Sequence, residues 1–310
     1  MEEWREVILL ESDFRSVQKT GAQALLAKPW SKIKFAVIGL GLMGGSYAKA
    51  LRRLDAGGII GVELNEAVLR QAMEQGLIDV GVTAAGEELR QADVIICAVY
   101  PEAVASFIKD SVQFFKSDVL LTDISGIKGD LPYRVQSLLK PGMEFISGHP
   151  MAGRQGSGLD MASADIFTGA NYIIVPEQHN TPEAVKWLEK FAKALGCRHT
   201  VQVNPTQHDG IIAYTSNLPH VLAVSLMDSA SYDDKTKYFV AGSFRDGTRV
   251  ADINPELWSN LFLANKDHVI EEIDKFAAQL GIWRQALESG DADTLKTIMA
   301  QAAQRRKELY

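Results

Sequence analysis

The sequence predicts an α/β fold in which a doubly wound, mostly parallel sheet is followed by an all-helical domain. Short apolar runs alternate with segments of helical periodicity from about residue 31 to residue 203, an order typical of βαβ units. A glycine-rich turn joins the first apolar run to the first of these helices. Over residues 204–310 the apolar residues recur at helical spacing and no strand pattern intervenes.

Strand patterns and helix patterns alternate along the α/β region. Its strands lie in the apolar runs KFAVI, GIIGVELN, ADVIICAVYP, DVLLTDISGIK, MEFISGHP, ANYIIVP and RHTVQV. Segments at helical spacing separate them: LMGGSYAKALRRL, EAVLRQAMEQG, FIKDSVQFF, LPYRVQSLL and TPEAVKWLEKFAKALG, the last ending on Gly196. Because strands that are apolar at nearly every position are buried on both faces, we expect helices on both sides of the sheet.

The helical region begins with an Asn-Pro pair at positions 204 and 205, where a capping side chain precedes a proline suited to the first helical position. The same pair recurs at positions 254 and 255, and a last helix is capped near Asp291 or Asp293. The helices are too apolar to face only water, since apolar side chains recur at three- and four-residue intervals at Leu257, Leu261, Val269, Ile273 and Phe276. We therefore predict a homodimer formed through this region.

The N-terminal residues 1–30 fit neither region and are expected to form either one amphipathic helix or a frayed end. Acidic residues interrupt their short apolar run and no basic leader precedes it, so we expect no targeting segment and a cytoplasmic protein. We also expect no membrane span.

The net charge and the cysteine content limit the kinds of ligand that the protein is expected to bind. A formal charge of -7 argues against a surface that tracks the phosphates of a nucleic acid. Cys97 and Cys197 are far apart and lack metal-ligand spacing, so both are predicted to be buried thiols. No metal site is evident in the pattern.

The glycine turn has the form G-x-G-x-x-G, with Gly39, Gly41 and Gly44 between the strand KFAVI and a helix. The first glycine permits a tight turn, the second lets the backbone approach a pyrophosphate, and the third lets the helix pack on the strand. Leu42 and Met43 open the helix and would offer backbone N–H groups to the phosphates. The turn predicts a Rossmann-type dinucleotide-binding domain over residues 31–203, followed by a substrate and dimerisation domain over residues 204–310.

The cofactor is predicted to be NAD. Glu63 follows the second strand, 24 residues after Gly39, close to the spacing of about 20 for an acidic residue that binds both hydroxyls of the adenine ribose. A carboxylate at this place repels a 2′-phosphate, which disfavours NADP. The alternative is a solvated charge at the end of a strand.

The segment SGHPMAGRQGSG, residues 147–158, places His149 before a proline and among glycines. Such a segment predicts irregular backbone rather than a helix or a regular strand. Irregular segments often carry functional residues, and histidine is the side chain most easily titrated near neutral pH. From this segment alone, a catalytic histidine and a turn histidine with only local hydrogen bonds are both open.

The glycine turn, the GHPMAG motif and the later SNLPH and RDGTRVAD motifs together resemble the prephenate and arogenate dehydrogenases of tyrosine biosynthesis, over about residues 31–290. The resemblance implies an NAD-dependent oxidative decarboxylation of prephenate to 4-hydroxyphenylpyruvate. The alternatives are arogenate as the substrate, another dehydrogenase of the same two-domain architecture, or an NAD-binding protein without catalysis.

The resemblance also implies roles for individual residues. His149 corresponds to the catalytic histidine, which takes up the proton of the ring hydroxyl as a carbonyl forms. Arg249 corresponds to the arginine that binds a substrate carboxylate, with Arg245 as its rival. His220 corresponds to a substrate-binding histidine, while His208 is expected to brace the helices.

Two departures from the family pattern affect the expected site. In DISGIK, Gly126 stands where relatives commonly place a serine hydroxyl. Ser125 is the candidate replacement as a catalytic residue, against the alternative of a local turn bond. After HPMAG, Arg154 and Gln155 stand where many relatives have an acidic or other polar residue, and Gln155 is the candidate that binds the keto or amino side chain of the substrate.

Overall fold

The computed structural model describes residues 21–154 and 156–309. The chain divides into two compact units, with the boundary between Pro205 and Thr206. The expectation for residues 1–20, a helix or a frayed end, lies outside the described residues. Residues 21–30 include helix α1 (Gly21–Ala27), which packs against a later helix of the first unit. Lys190 of that later helix donates a hydrogen bond to the Leu26 carbonyl at 3.0 Å.

Six strands form a parallel sheet in the order β3-β2-β1-β4-β5-β6. They are β1 (Lys34–Ile38), β2 (Gly58–Val62), β3 (Val80–Val82), β4 (Val94–Cys97), β5 (Leu120–Asp123) and β6 (Glu144–Phe145). Phe35 and Val37 of β1 enter one hydrophobic core, and Ala36 and Ile38 enter the other. The strands are apolar at successive positions because both faces are covered, and the predicted doubly wound sheet is confirmed.

Helices cover the two faces in two groups. Helices α2 (Leu42–Arg53) and α3 (Glu66–Glu74) contribute to one core, and α4 (Pro101–Ser111) and α5 (Leu131–Leu138) to the other. The strand order therefore reverses between β1 and β4, which are neighbours in the sheet. In open α/β sheets ligands bind outside the carboxyl ends of the strands at this reversal.

The segment that contains His149 is partly a regular strand, so the expectation of irregular backbone is wrong for its first residues. Strand β7 (Ser147–Pro150) pairs antiparallel with β8 (Asn171–Val175), which pairs parallel with β9 (His199–Gln202). This small sheet is separate from the six-stranded one, and α6 (Pro182–Leu195) connects β8 to β9. Within the described residues, β7 is an edge strand that pairs only with β8. An edge strand tolerates proline, because the missing N–H need not pair with a second strand.

The second unit is helical, as predicted. Its helices are α7 (Pro205–Ile212), α8 (Leu218–Met227), α9 (Gly242–Thr248), α10 (Pro255–Ala264), α11 (Lys266–Ser289) and α12 (Ala292–Leu309). A π-helical turn, Ala213–Asn217, joins α7 to α8, whose second residue is Pro219. The side chain of Asn254 caps α10 by accepting a hydrogen bond from the N–H of Leu257.

One stretch, Pro205–Met227, is long and apolar enough to cross a membrane by length and composition. The absence of a membrane span stays a prediction. The stretch also contains buried polar groups that are hydrogen-bonded within the unit. His208 Nδ1 lies 2.7 Å from Asp209 Oδ1, and the amide of Asn265 donates to Asn217 Oδ1 at 3.0 Å. Helices at the core of soluble proteins meet the same criterion, so the stretch is weak evidence for a span.

Both cysteines are free and buried, as predicted. Burial raises the pKa of the Cys197 thiol to about 11 and that of Cys97 further. Both thiols are therefore protonated and unreactive near neutral pH.

Candidate active site

The glycine turn has the geometry that a dinucleotide requires. Gly39 has φ +86°, and a Cβ there would lie 2.7 Å from the carbonyl oxygen of Ala98. A Cβ on Gly44 would lie 1.8 Å from the carbonyl oxygen of Gly39. Gly41 differs, because no atom lies within 4 Å of the position of its Cβ. Gly39 and Gly44 thus permit the turn and its packing, while the space beside Gly41 is open to a phosphate group.

Helix α2 begins at Leu42, directly after Gly41, so the first N–H groups of the helix point toward this open space. Leu42 and Met43 are the first two residues of α2. Oriented N–H groups and the positive end of the helix dipole favour an anion there.

Glu63 lies directly after β2 and is fixed by two backbone donors. Its Oε2 accepts a hydrogen bond from the N–H of Leu40, within the glycine turn, at 2.9 Å. Its Oε1 accepts from the N–H of Asn65 at 3.0 Å. The carboxylate is thereby oriented beside the turn, and each of its oxygens retains acceptor capacity for a hydroxyl group.

A cavity of about 650 Å³ lies beside Gly39 and Glu63. Its walls are mostly apolar and include Val62, Ala84, Val99 and Phe107. A largely apolar cavity next to the Glu63 carboxylate fits an adenine ring, and the open space at Gly41 fits a pyrophosphate. The residues of the first unit therefore fit NAD.

At the carboxyl end of β5, Asp123 is a buried acceptor for four donors. Its Oδ1 accepts from the Ser147 hydroxyl at 2.5 Å and from the N–H of Gly148 at 3.2 Å. Its Oδ2 accepts from the N–H of Ser125 at 3.0 Å and from Lys128 Nζ at 2.9 Å. Burial alone would raise the pKa of the Asp123 carboxyl, but Lys128 and the Ser147 hydroxyl outweigh it, so the pKa lies below its usual range.

His149 lies on β7 and is partly buried. A Cβ on Gly126 would lie 3.9 Å from both Cε1 and Nε2 of its imidazole. The imidazole therefore faces the loop that follows β5. Since β4 lies between β1 and β5, the loop that the imidazole faces and the glycine turn both follow the carboxyl ends of strands of the six-stranded sheet.

Ser125 lies in that loop, next to Gly126. Its hydroxyl oxygen is buried and makes no hydrogen bond within the described part of the chain. The alternative prediction for Ser125 is a local turn hydrogen bond from its side chain. In the structure the local bond is made by its backbone N–H, which donates to Asp123 Oδ2. Gln155 lies outside the described residues, so its predicted role has no structural account.

In the second unit, His220 is held in one orientation. Its Nδ1 lies 2.8 Å from the carbonyl oxygen of Ser216, and its ring stacks on Trp258 with the ring centroids 3.7 Å apart. Because a carbonyl only accepts, Nδ1 carries the proton and Nε2 presents a lone pair in the neutral ring. Burial lowers the pKa of His220, as does the charge of Arg249, against the opposing effect of the Ser216 carbonyl.

Arg249 opens a short 3-10 turn after α9, and Arg245 lies on α9 one turn earlier. Both side chains are on the surface of the second unit as described. His208, by contrast, is 2% exposed and lies beside Asp209, whose carbonyl accepts a hydrogen bond from Asn265. This arrangement agrees with the bracing role expected for His208.

The sequence interpretation did not identify Asp123 and Lys128 as site residues. The signal was present in DISGIK, where an acidic residue ends a buried strand and a lysine follows five positions later. Their pairing depends on the loop folding back, with both side chains fully buried, and no local periodicity encodes this.

Two family models match the chain. Residues 47–201 match one described as the nucleotide-binding domain of prephenate dehydrogenase, and residues 204–301 match its dimerization domain. The chain is 30% identical to a prephenate dehydrogenase of Bacillus subtilis over 83% of this chain and 71% of that protein. It is 30% identical to a cyclohexadienyl dehydrogenase of Zymomonas mobilis over 84% of this chain and 90% of that protein.

A solved structure is also similar. The prephenate dehydrogenase from A. aeolicus, in complex with hydroxyphenyl propionate and NAD+, aligns with a TM-score of 0.81 and 27% sequence identity. The alignment covers 90% of this chain and 99% of that one.

Proposed function

Because the chain belongs to the prephenate dehydrogenase family, we propose that it catalyses the NAD-dependent oxidative decarboxylation of prephenate to 4-hydroxyphenylpyruvate, a step of tyrosine biosynthesis. NAD is its cofactor, as in the similar enzyme solved with NAD+. The glycine turn and Glu63 would hold the pyrophosphate and the adenine ribose.

One observation in the structure supports this function most directly. His149 faces the loop after β5, at the same sheet edge as the glycine turn that follows β1. A dinucleotide that enters at the β1–β4 reversal extends along this edge, which brings its reactive ring toward β5. His149 is thus on the side of the sheet where the chemistry is expected.

The residues of the chain account for the proton transfers. When bound, NAD supplies an acceptor for the hydride of the carbinol carbon. The carbonyl forms as His149 takes the proton of the hydroxyl group, and a neutral imidazole is suited to accept it. The ring then loses CO2 from the opposite carbon, the electrons of that bond complete the aromatic ring, and the proton returns to the oxygen as a phenol. Aromatisation makes the overall step favourable.

The two carboxylates of prephenate require donors. We assign Arg249 to one of them, since a planar guanidinium can donate two parallel hydrogen bonds to a carboxylate. We assign His220 to substrate binding as well, with Nε2 as a hydrogen-bond acceptor rather than as a donor to a carboxylate. Helix α8, which carries His220, packs against the 3-10 turn that begins at Arg249. Ser125 is proposed to contribute its buried hydroxyl to the reacting oxygen or to His149, and Gln155 to bind the side chain of the substrate.

Arogenate is the second candidate substrate. The similar Zymomonas mobilis enzyme is named for the cyclohexadienyl ring, which prephenate and arogenate share. The two compounds differ only in the side chain, a keto acid in one and an amino acid in the other.

The second unit matches a dimerization domain, so we propose that the enzyme is a homodimer formed through its helical unit. We expect it to act in the cytoplasm.

A spectrophotometric assay tests the function. Purified protein is mixed with NAD and either prephenate or arogenate, and the formation of NADH is followed. We expect turnover with prephenate and much slower turnover when NADP replaces NAD, because the carboxylate of Glu63 repels a 2′-phosphate. Absence of NADH with both substrates would refute the proposal.

Replacement of the base gives a sharper prediction. His149→Asn is expected to retain NAD binding and to lose turnover by about 10²- to 10⁴-fold, the usual contribution of a positioned general base. The matched control is His199→Asn, an exposed histidine on β9 of the same unit, which should leave turnover unchanged. Turnover of His149→Asn within a few-fold of the wild type would contradict the assignment.

A further inference from the structure

The backbone of Gly148, the residue before His149, is held on three sides. Its N–H donates to Asp123 Oδ1 at 3.2 Å, and its carbonyl accepts from Lys128 Nζ at 2.7 Å. On the third side, a Cβ on Gly148 would lie 2.6 Å from the Tyr172 hydroxyl oxygen and 2.8 Å from its ring. The strand therefore cannot shift at this point without breaking a buried contact.

The same ion pair closes the loop that faces the imidazole. Lys128 Nζ donates to Asp123 Oδ2 at 2.9 Å, which joins the two ends of the loop over residues 123–128. The N–H of Ser125 donates to the same oxygen and tightens the loop further. Gly126 lies within this loop, and the position of its Cβ is 3.9 Å from His149 Nε2. One ion pair thus fixes both the strand that carries His149 and the loop opposite its imidazole.

Stability alone is a weak explanation for such a pair. The side chains of Asp123 and Lys128 are both 0% exposed. Burial of two charges costs about as much free energy as their attraction returns, and apolar replacements of buried pairs are often neutral or stabilising. The pair instead fixes the positions of the Gly148 N–H, the Gly148 carbonyl and the loop over residues 123–128.

We propose that Asp123 and Lys128 are positioning residues, which hold Gly148 and the 123–128 loop so that the His149 imidazole stays in its reactive position. This inference deepens the proposed function and rests on it. Neither residue is assigned a contact with the substrate or the cofactor.

The test is the double variant Asp123→Asn/Lys128→Met, in which both buried charges are removed together. We expect kcat with prephenate to fall by about 10²-fold, the typical effect of a displacement of about 1 Å in a catalytic group. The KM for prephenate and the Kd for NAD are expected to change less than threefold, since neither residue binds them. The single variant Lys128→Met leaves an unpaired buried carboxylate and is expected to be less stable than the double variant.

A second readout does not depend on activity. In protein with labelled histidine and no cofactor, the NMR signal of the His149 imidazole, identified by its absence in His149→Asn, is followed as the pH is varied. In the double variant we expect a broadened signal and an altered titration midpoint. A role in folding alone would lower the melting temperature and leave both observations unchanged.

The matched control is Lys116→Met. Lys116 also pairs with a partly buried aspartate, since its Nζ lies 2.6 Å from Asp93 Oδ1, but Asp93 directly precedes β4 and so lies at the opposite edge of the sheet. We expect its kcat and the His149 signal to match the wild type.

The proposal is overturned if the folded double variant retains kcat within twofold and an unaltered His149 titration, or if the double variant fails to fold. If the wild type does not oxidise prephenate, the proposed function fails, while the His149 titration still decides whether the pair positions the imidazole.

Discussion

His220 shows how the orientation and protonation of a side chain are set by its neighbours. The Ser216 carbonyl fixes the proton on Nδ1, and Trp258 stacks on the ring. Burial and the charge of Arg249 both disfavour the protonated ring, so its pKa lies below the usual value of about 6.5. At pH 7 and above, His220 is therefore neutral, and in the proposed complex the positive charge for a substrate carboxylate comes from arginine.

The effect of the Arg249 charge on the pKa of His220 allows Arg249 and Arg245 to be distinguished by experiment. Arg249→Gln removes a nearby positive charge, so protonation of His220 becomes easier and its pKa should rise toward the usual value. NMR titration of labelled histidine measures this, with His220→Asn to identify the signal. The same variant should raise the KM for prephenate by about 10- to 100-fold, the equivalent of one hydrogen bond to a charged group. Arg245→Gln, one helical turn earlier, is the matched control and should change neither value. The opposite pattern would transfer the role to Arg245.

Single residues could be predicted from the sequence where a short, local motif marks them. The interpretation of the glycine turn needed only spacing and a preceding strand. In the structure a Cβ on Gly39 or Gly44 would clash with backbone atoms, while the space beside Gly41 is open. The pair of Asp123 and Lys128 depends on a loop that folds back and on a strand of another sheet, β7, so the sequence did not reveal it. His149 was proposed from its motif, but the interpretation did not include the residues that hold it.

At the level of elements, apolar runs predicted β1, β2, β4, β5 and β6, whose residues are almost all buried. They did not predict the short edge strand β3, which is partly exposed. Strand β7 is not an apolar run either. It contains Gly148 and Pro150, residues that normally interrupt a strand, and its pairing with β8 comes from residues more than twenty positions later. The π-helical turn Ala213–Asn217 was likewise absent from the interpretation, although it lies close to Pro219, a residue that interrupts helical hydrogen bonding.

The glycine turn yields a prediction at the scale of an element. Gly41→Ala places a methyl group where no atom lies within 4 Å, so the fold should persist and the melting temperature should change little. The same methyl group occupies space assigned to the pyrophosphate, so the Kd for NAD, measured by calorimetry, should rise by about tenfold or more. The paired variant Gly44→Ala brings Cβ within 1.8 Å of the Gly39 carbonyl oxygen and should destabilise the protein itself. Equal NAD affinity in Gly41→Ala and the wild type would show that the phosphates lie elsewhere.

At the scale of the whole molecule, the helical unit is notable for how little of its length is buried. In the 24-residue helix α11 only Val269 and Ala286 are buried, and α12 has no buried residue. Large apolar side chains on α11 are exposed instead: Ile273 by 37%, Leu280 by 53% and Leu287 by 64%. Exposed apolar surface of this kind marks an interface. The match to a dimerization domain favours a second copy of the chain as the partner, over a lipid bilayer.

The spacing of these side chains allows the dimer to be tested directly. Ile273, Leu280 and Leu287 recur every seven residues and so lie on one side of α11. Leu280→Asp/Leu287→Asp would place two carboxylates in an apolar interface, where burial of an unpaired charge costs several kcal/mol per group, about enough to dissociate a micromolar dimer. Light scattering should then give the mass of one chain, 34.0 kDa, where the wild type gives twice that value. Met73→Asp, an exposed apolar residue of the first unit, is the control and should remain dimeric. A wild-type protein that is monomeric, or that sediments with lipid vesicles, would show that this surface has a different partner.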